Sequence, residues 1–242
     1  MLAQLAPDPL RTPYIVGEAL LVVAVLRLAV TPETVRRHPG AGYRIQRVVV
    51  PRRSRSAFAA AAVAAAVTFT IFGVFGALVP SILTGTLHQH SHVLAGAVAA
   101  LVFLASAVAQ LSAGCGRPVS PRTATVTATS GLAVLAIATW TATLPLFAFG
   151  AVLTGAGAGL VFKALLAVVV DLGPPDQRGE VLAAFFLTAY LGLALPVLTL
   201  GLLDELISTS VLMTVFAGVV GLGLIAAVRA LPAPHGQAAD AS

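Results

Sequence analysis

Charge is what this sequence has least of. Only 10% of its 242 residues are Asp, Glu, Lys or Arg, where a soluble domain carries about 25%. Such a chain cannot cover its surface against water, so lipid must be the solvent for most of it. A water-soluble interaction protein is thereby excluded. Cysteine is nearly missing: Cys115 stands alone, which rules out an intramolecular disulfide framework and a cysteine-based metal site. No cofactor is expected. There is no G-x-S-x-G, no H-E-x-x-H, no P-loop and no histidine inside an apolar run. An intramembrane enzyme needs buried nucleophiles or paired acids, and the absence of both argues against catalysis. A secretory leader is not expected either. Residues Met1–Pro13 hold one basic residue, Arg11, beside Asp8, and no small-x-small cleavage pattern follows.

What the chain does have is long apolar runs. Hydrophobic residues make up 58% of it and the mean hydropathy is +0.98. Seven runs stand out: Pro13–Val30, Ala57–Leu83, Val93–Ser112, Thr123–Thr141, Leu146–Val170, Val181–Leu203 and Leu206–Val228. A bilayer needs roughly 20 apolar residues per helical span, and no stretch alternates as a barrel strand would. The expected fold is all-α, a polytopic membrane protein of about seven transmembrane helices. Its expected parts are an outer N-terminal segment with the first span (1–30), a basic cytoplasmic loop (31–56), a six-helix bundle (57–230) and a disordered tail (231–242).

Arginine settles the expected orientation. One set of alternate links holds Arg36, Arg37, Arg44, Arg47, Arg52, Arg53, Arg55, Arg117, Arg122 and Arg178, with Arg27 and Arg229 at span ends; the other holds only Arg11. The positive-inside rule puts the first set in the cytoplasm. The C-terminus is then cytoplasmic and Met1 outside, in a cell inner (plasma) membrane. The net charge of +5 comes from these links, so it points to membrane topology and not to nucleic acid.

The stretch Gly155–Pro196 organises the rest. A glycine-rich run ends at Asp171, a polar turn runs from Pro174 to Glu180, and a second apolar run follows. This reads as a helical hairpin entered and left on one membrane face. Gly155-Ala-Gly-Ala-Gly159 fails as a nucleotide loop, because Leu160 stands where G-x-G-x-x-G needs glycine. Gly155 and Gly159 instead make a G-x-x-x-G face for close helix packing. Lys163 lies eight residues before Asp171, about 12 Å along the helix. Two readings stand: a cavity-lining cation, or a lysine snorkelling to the cytoplasmic face. Glu18 reads as an interfacial carboxylate or a proton-coupling one. The alternate spacing of His88, His90 and His92 is compatible with a metal on an extended link, but reads better as a solvated loop. Thr68, Thr70, Gln110, Trp140 and Tyr190 are the other polar or amphipathic side chains in or near spans. Threonine in lipid often bonds its own helix backbone.

Three patterns carry a family resemblance. Pro32-Glu33-Thr34-Val35-Arg36-Arg37 with its basic loop resembles the exit of the sixth helix of the major facilitator superfamily. Thr68–Pro80 (TFTIFGVFGALVP) resembles the seventh. Gly155–Asp171, Arg178-Gly179-Glu180 and Tyr190–Pro196 (YLGLALP) resemble the tenth and eleventh. The likeness runs from about Pro13 to Arg229, so the chain corresponds to the C-terminal half plus the preceding helix, with the first five helices absent. The loop Gly114–Arg122 stands where the family has a glycine- and charge-rich motif, and it lacks the acidic residue. The resemblance implies secondary active transport of a small molecule by alternating access, with a proton or ion gradient as drive. It implies a substrate path lined by Thr68, Thr70 and Lys163 and a cytoplasmic gate at Asp171 and Arg178. The implied partners are the bilayer, the substrate, and a separate N-terminal half or a second copy. The rival readings are a non-transporting fragment, a half-transporter, and an intramembrane enzyme or receptor. Richness in glycine, alanine and arginine fits a GC-rich bacterial source.

Overall fold

The computed structural model describes residues 11–32, 54–114, 120–173, 177–203 and 206–231. These residues form seven helices and no strand. They are α1 (Thr12–Val30), α2 (Arg55–Gly85), α3 (His92–Ser112), α4 (Pro121–Trp140), α5 (Leu144–Leu172), α6 (Arg178–Leu203) and α7 (Thr209–Arg229). The chain divides into two units, Met1–Arg47 and Val48–Ser242. Much of the expected basic loop (33–53), part of the Gly114–Arg122 loop (115–119), Pro174–Asp176, Asp204-Glu205 and the tail from residue 232 lie outside the described residues.

In the first unit, α1 has 19 residues, or about 28 Å at the helical rise. It carries proline in its first turn, where the missing N–H does no harm. It stops at Thr31, which turns extended before Pro32, as a residue preceding proline must.

In the second unit, helix ends follow local chemistry. Ser91 caps α3 by accepting from the Leu94 N–H at 3.3 Å. Ser120 does so at α4, with Pro121 at the first position. The link between α4 and α5 is short, and Ala142 passes through it with φ 47°. Pro145 sits in the first turn of α5, so the chain reverses just before that helix. All six helices of this unit are long and apolar enough to cross a membrane, and α4, the threonine-rich one, is the least hydropathic. The seven expected runs and the seven helices agree to within a few residues at each end.

Within the bundle, α5 packs between α3 and α4. The next pair is α2 with α6, and α7 lies against α4 and α2. Ile71 and Leu83 of α2 join Leu132, Phe147, Leu165, Phe185 and Leu224 in the fully buried core. Only 17% of the α6 span and 22% of the α3 span are buried, against 56% for α2. So α2 is a central helix, and α3 and α6 leave most of their sides outward. Lipid tails are as apolar as leucine, so helix association here rests on close fit more than on hydrophobic burial.

Candidate functional site

Close fit begins with small residues, and α5 supplies them on two faces. Gly155 packs on Val102 of α3, where an added Cβ would lie 2.8 Å from the Val102 Cα. One turn on, Gly159 meets Ser106, where a Cβ would lie 2.7 Å from the Ser106 carbonyl oxygen. Real Cβ atoms do not approach so closely, so glycine is what lets the two backbones touch. The neighbouring face of α5 does the same against α4. Gly157 packs on Ala128, Gly150 on Leu135, and Gly131 of α4 on Thr154. Thr154 is fully buried, and among the described residues its hydroxyl has no hydrogen-bond partner. It rests against Gly131.

A second seam joins α2 to α6. Gly192 packs on Ala66, and Gly73 on Leu193. The Thr70 hydroxyl lies 2.7 Å from the Gly192 carbonyl oxygen of α6 and 3.0 Å from that of Ala66 on its own helix. It therefore donates across the seam. Between the two seams lies an array of rings from four helices. Phe69 meets Phe162 with centroids 5.2 Å apart and Tyr190 at 5.6 Å, edge to face. Phe72 stacks on Phe103 at 5.4 Å. Phe162 continues to Phe185 and Phe186. Beside the rings, an open apolar groove of about 480 Å³ runs between Phe72, Gly73, Ala77, Phe103, Leu193 and Val197.

The residues singled out from the sequence fall as follows. Thr68 is fully buried and donates to the Ala64 carbonyl oxygen at 2.7 Å, along its own helix. Lys163 is half-buried, and its Nζ donates to the Gln110 carbonyl oxygen of α3 at 2.6 Å. The Gln110 side chain in turn donates to the Ser106 hydroxyl at 3.1 Å. Asp171 lies in the last turn of α5 and Arg178 begins α6. Both side chains are exposed, and no ion pair joins them among the described residues. Trp140 donates from Nε1 to the Thr214 hydroxyl at 2.9 Å and ties α4 to α7. His92 is the first residue of α3 and His88 has φ 53°, so the three histidines do not share one extended strand. Among the described residues no three metal-ligating side chains gather.

The sequence reading missed Ser106 as a partner of Gly159, Gly157 as the contact to α4, and the ring array. Ser106 had a signal: the spacing of four from Gly155 through Gly159 continues to Lys163, and that from Val102 through Ser106 continues to Gln110. The rings had none, because they come from four separate helices.

No curated protein and no solved structure matches the chain significantly. A family model does match: Major Facilitator Superfamily, over residues 61–242. The match takes in nearly all of the six-span unit, from the second turn of α2 onward, and a multi-pass membrane bundle of this kind is in contact with lipid over most of its surface. On that match, the chain belongs to the major facilitator superfamily.

Proposed function

We propose that the chain acts in secondary active transport of a small molecule, supplying one six-helix wall of a carrier that works by alternating access. The family match across the six-span bundle carries this reading. The substrate path is assigned to the face shared by α2, α3, α5 and α6, where the ring array and the groove lie. Thr68, Thr70 and Lys163 belong to the helices that border it. Their polar atoms bond backbone carbonyls, so their part is to shape the wall. Asp171 and Arg178, at facing ends of the α5–α6 hairpin, are assigned to the cytoplasmic gate. The arginine-rich links would face the cytoplasm across a plasma membrane.

Everted membrane vesicles test this. An imposed proton gradient should collapse faster when a transported compound is added, and the effect should vanish without the protein. Lys163→Ala should lower the rate. If no compound from a broad panel moves protons or accumulates, the transporter reading falls. If transport survives Lys163→Ala unchanged, Lys163 leaves the assignment.

A half-transporter that needs a separate six-helix unit is the second reading. The shallow burial of α3 and α6 favours it. Chemical cross-linking in native membranes that captured only lipid around α6 would count against it.

A further inference from the structure

Lys163 is the sole lysine of the chain, and its place in the α3–α5 seam is specific. Gly155, Gly159 and Lys163 are spaced by four on α5, and they meet Val102, Ser106 and Gln110, spaced by four on α3. The first rung is backbone on backbone, and the second sets Gly159 against the Ser106 hydroxyl and backbone. Both hold the helices by close fit, without a charged bond. The third rung differs, because a charged donor grips a single oxygen. In the last turn of α3 the Gly114 N–H bonds the Leu111 carbonyl, and the Ala113 N–H is shared between the Ala109 and Leu111 carbonyls. Among the described residues the Gln110 carbonyl accepts from no backbone N–H, as is usual for carbonyls at a helix C-terminus. The ammonium bonds it at the end where the helix dipole favours a cation.

We propose that Lys163 is a register lock. It pins the end of α3 to α5, so that the two helices, held along their length by glycine, move as one body. The amine is thereby engaged inside the protein and is not offered to an anionic ligand. The inference stands on the seam alone and holds whether or not the chain transports anything.

The full chain in lipid nanodiscs tests it, with spin labels placed at the exposed positions Leu104 of α3 and Phe149 of α5 in a Cys115→Ser background. Lys163→Met should speed hydrogen exchange at Ala113 and Gly114 by about tenfold or more, as loss of a charge-assisted bond implies. It should also broaden the 104–149 distance distribution. Lys163→Arg, which keeps a charged donor, should restore both. A lysine that merely snorkels toward water gives the opposite result, with exchange unchanged or slowed in Lys163→Met. Faster exchange with an unaltered distance distribution would also overturn the lock, since it would leave only a local cap. Should Lys163→Met not fold, Lys163→Gln, shorter and neutral, is read by the same two measurements against the same outcomes.

Discussion

At the scale of single residues, the glycines fall into two kinds that composition cannot tell apart. Gly155, Gly157 and Gly159 touch another backbone, whereas Gly76 and Gly218 have open space where a Cβ would go. Alanine at Gly155 or Gly159 must push α3 away and should cost about 1–3 kcal/mol. At Gly76 or Gly218 it removes backbone freedom with nothing to strike, and should gain up to about 1 kcal/mol. Thermal unfolding in detergent should therefore move in opposite directions for the two pairs. Ala142 is the reverse case. Its φ of 47° lies in the left-handed region that costs an L-residue roughly 1 kcal/mol or more, so Ala142→Gly should raise the unfolding temperature. The G-x-x-x-G of α5 was legible in the sequence because its spacing matches the helical turn. The strain at Ala142 was not, because alanine carries no sign of a positive φ.

Among elements, α4 and α7 show how polar groups join helices that glycine does not. Trp140 bonds Thr214, and the Ser210 hydroxyl donates to the Thr139 carbonyl at 3.1 Å. Both contacts lie where the C-terminus of α4 meets the N-terminus of α7. Such bonds in membranes average about 0.6 kcal/mol. Trp140→Phe should thus lower stability only slightly, and Trp140→Phe combined with Ser210→Ala should lower it further. A combined loss no greater than that of either single change would show that the two bonds do not act separately. Other hydroxyls turn inward on their own helix: Thr125, Thr127 and Thr129 of α4 each bond a carbonyl one turn back. Residue type alone could not separate the bridging hydroxyls from the self-bonded ones. Thr70 and Thr68 sit two positions apart, yet one reaches Gly192 and the other stays on its own helix.

For the whole molecule, the arginine asymmetry makes a directional prediction. In a Cys115→Ser background, a cysteine at His90 should react with a membrane-impermeant maleimide applied to intact cells. One at Arg229 should react only after the membrane is opened. The reverse pattern would invert the topology and move the gate assigned to Asp171 and Arg178 to the outer face. The packing of α5 against both α3 and α4 through glycine, and of α2 against α6 through a separate seam, divides the bundle into tightly joined groups with rings between them. Backbone seams hold one spacing, while ring contacts tolerate several geometries. Any rearrangement within the bundle is therefore expected at the rings, and hydrogen exchange should be faster along α6 than along α5.

The sequence by itself determined the solvent, the number of helices, their approximate limits and the expected sidedness. Each of these depends on local quantities: how many apolar residues lie in a row, where proline and serine interrupt them, and where arginine collects. It also marked Gly155, Gly159 and Lys163, because a period of four on one helix needs no partner to be seen. Tertiary structure alone decided what those residues meet. Whether Lys163 reached for water, a ligand or the end of α3 depended on which helix lay beside α5 and at what height. A helix surface in lipid is apolar on nearly every side, so hydropathy does not say which side faces a neighbour. The answer came from the fit of backbones, and that exists only once the helices are packed.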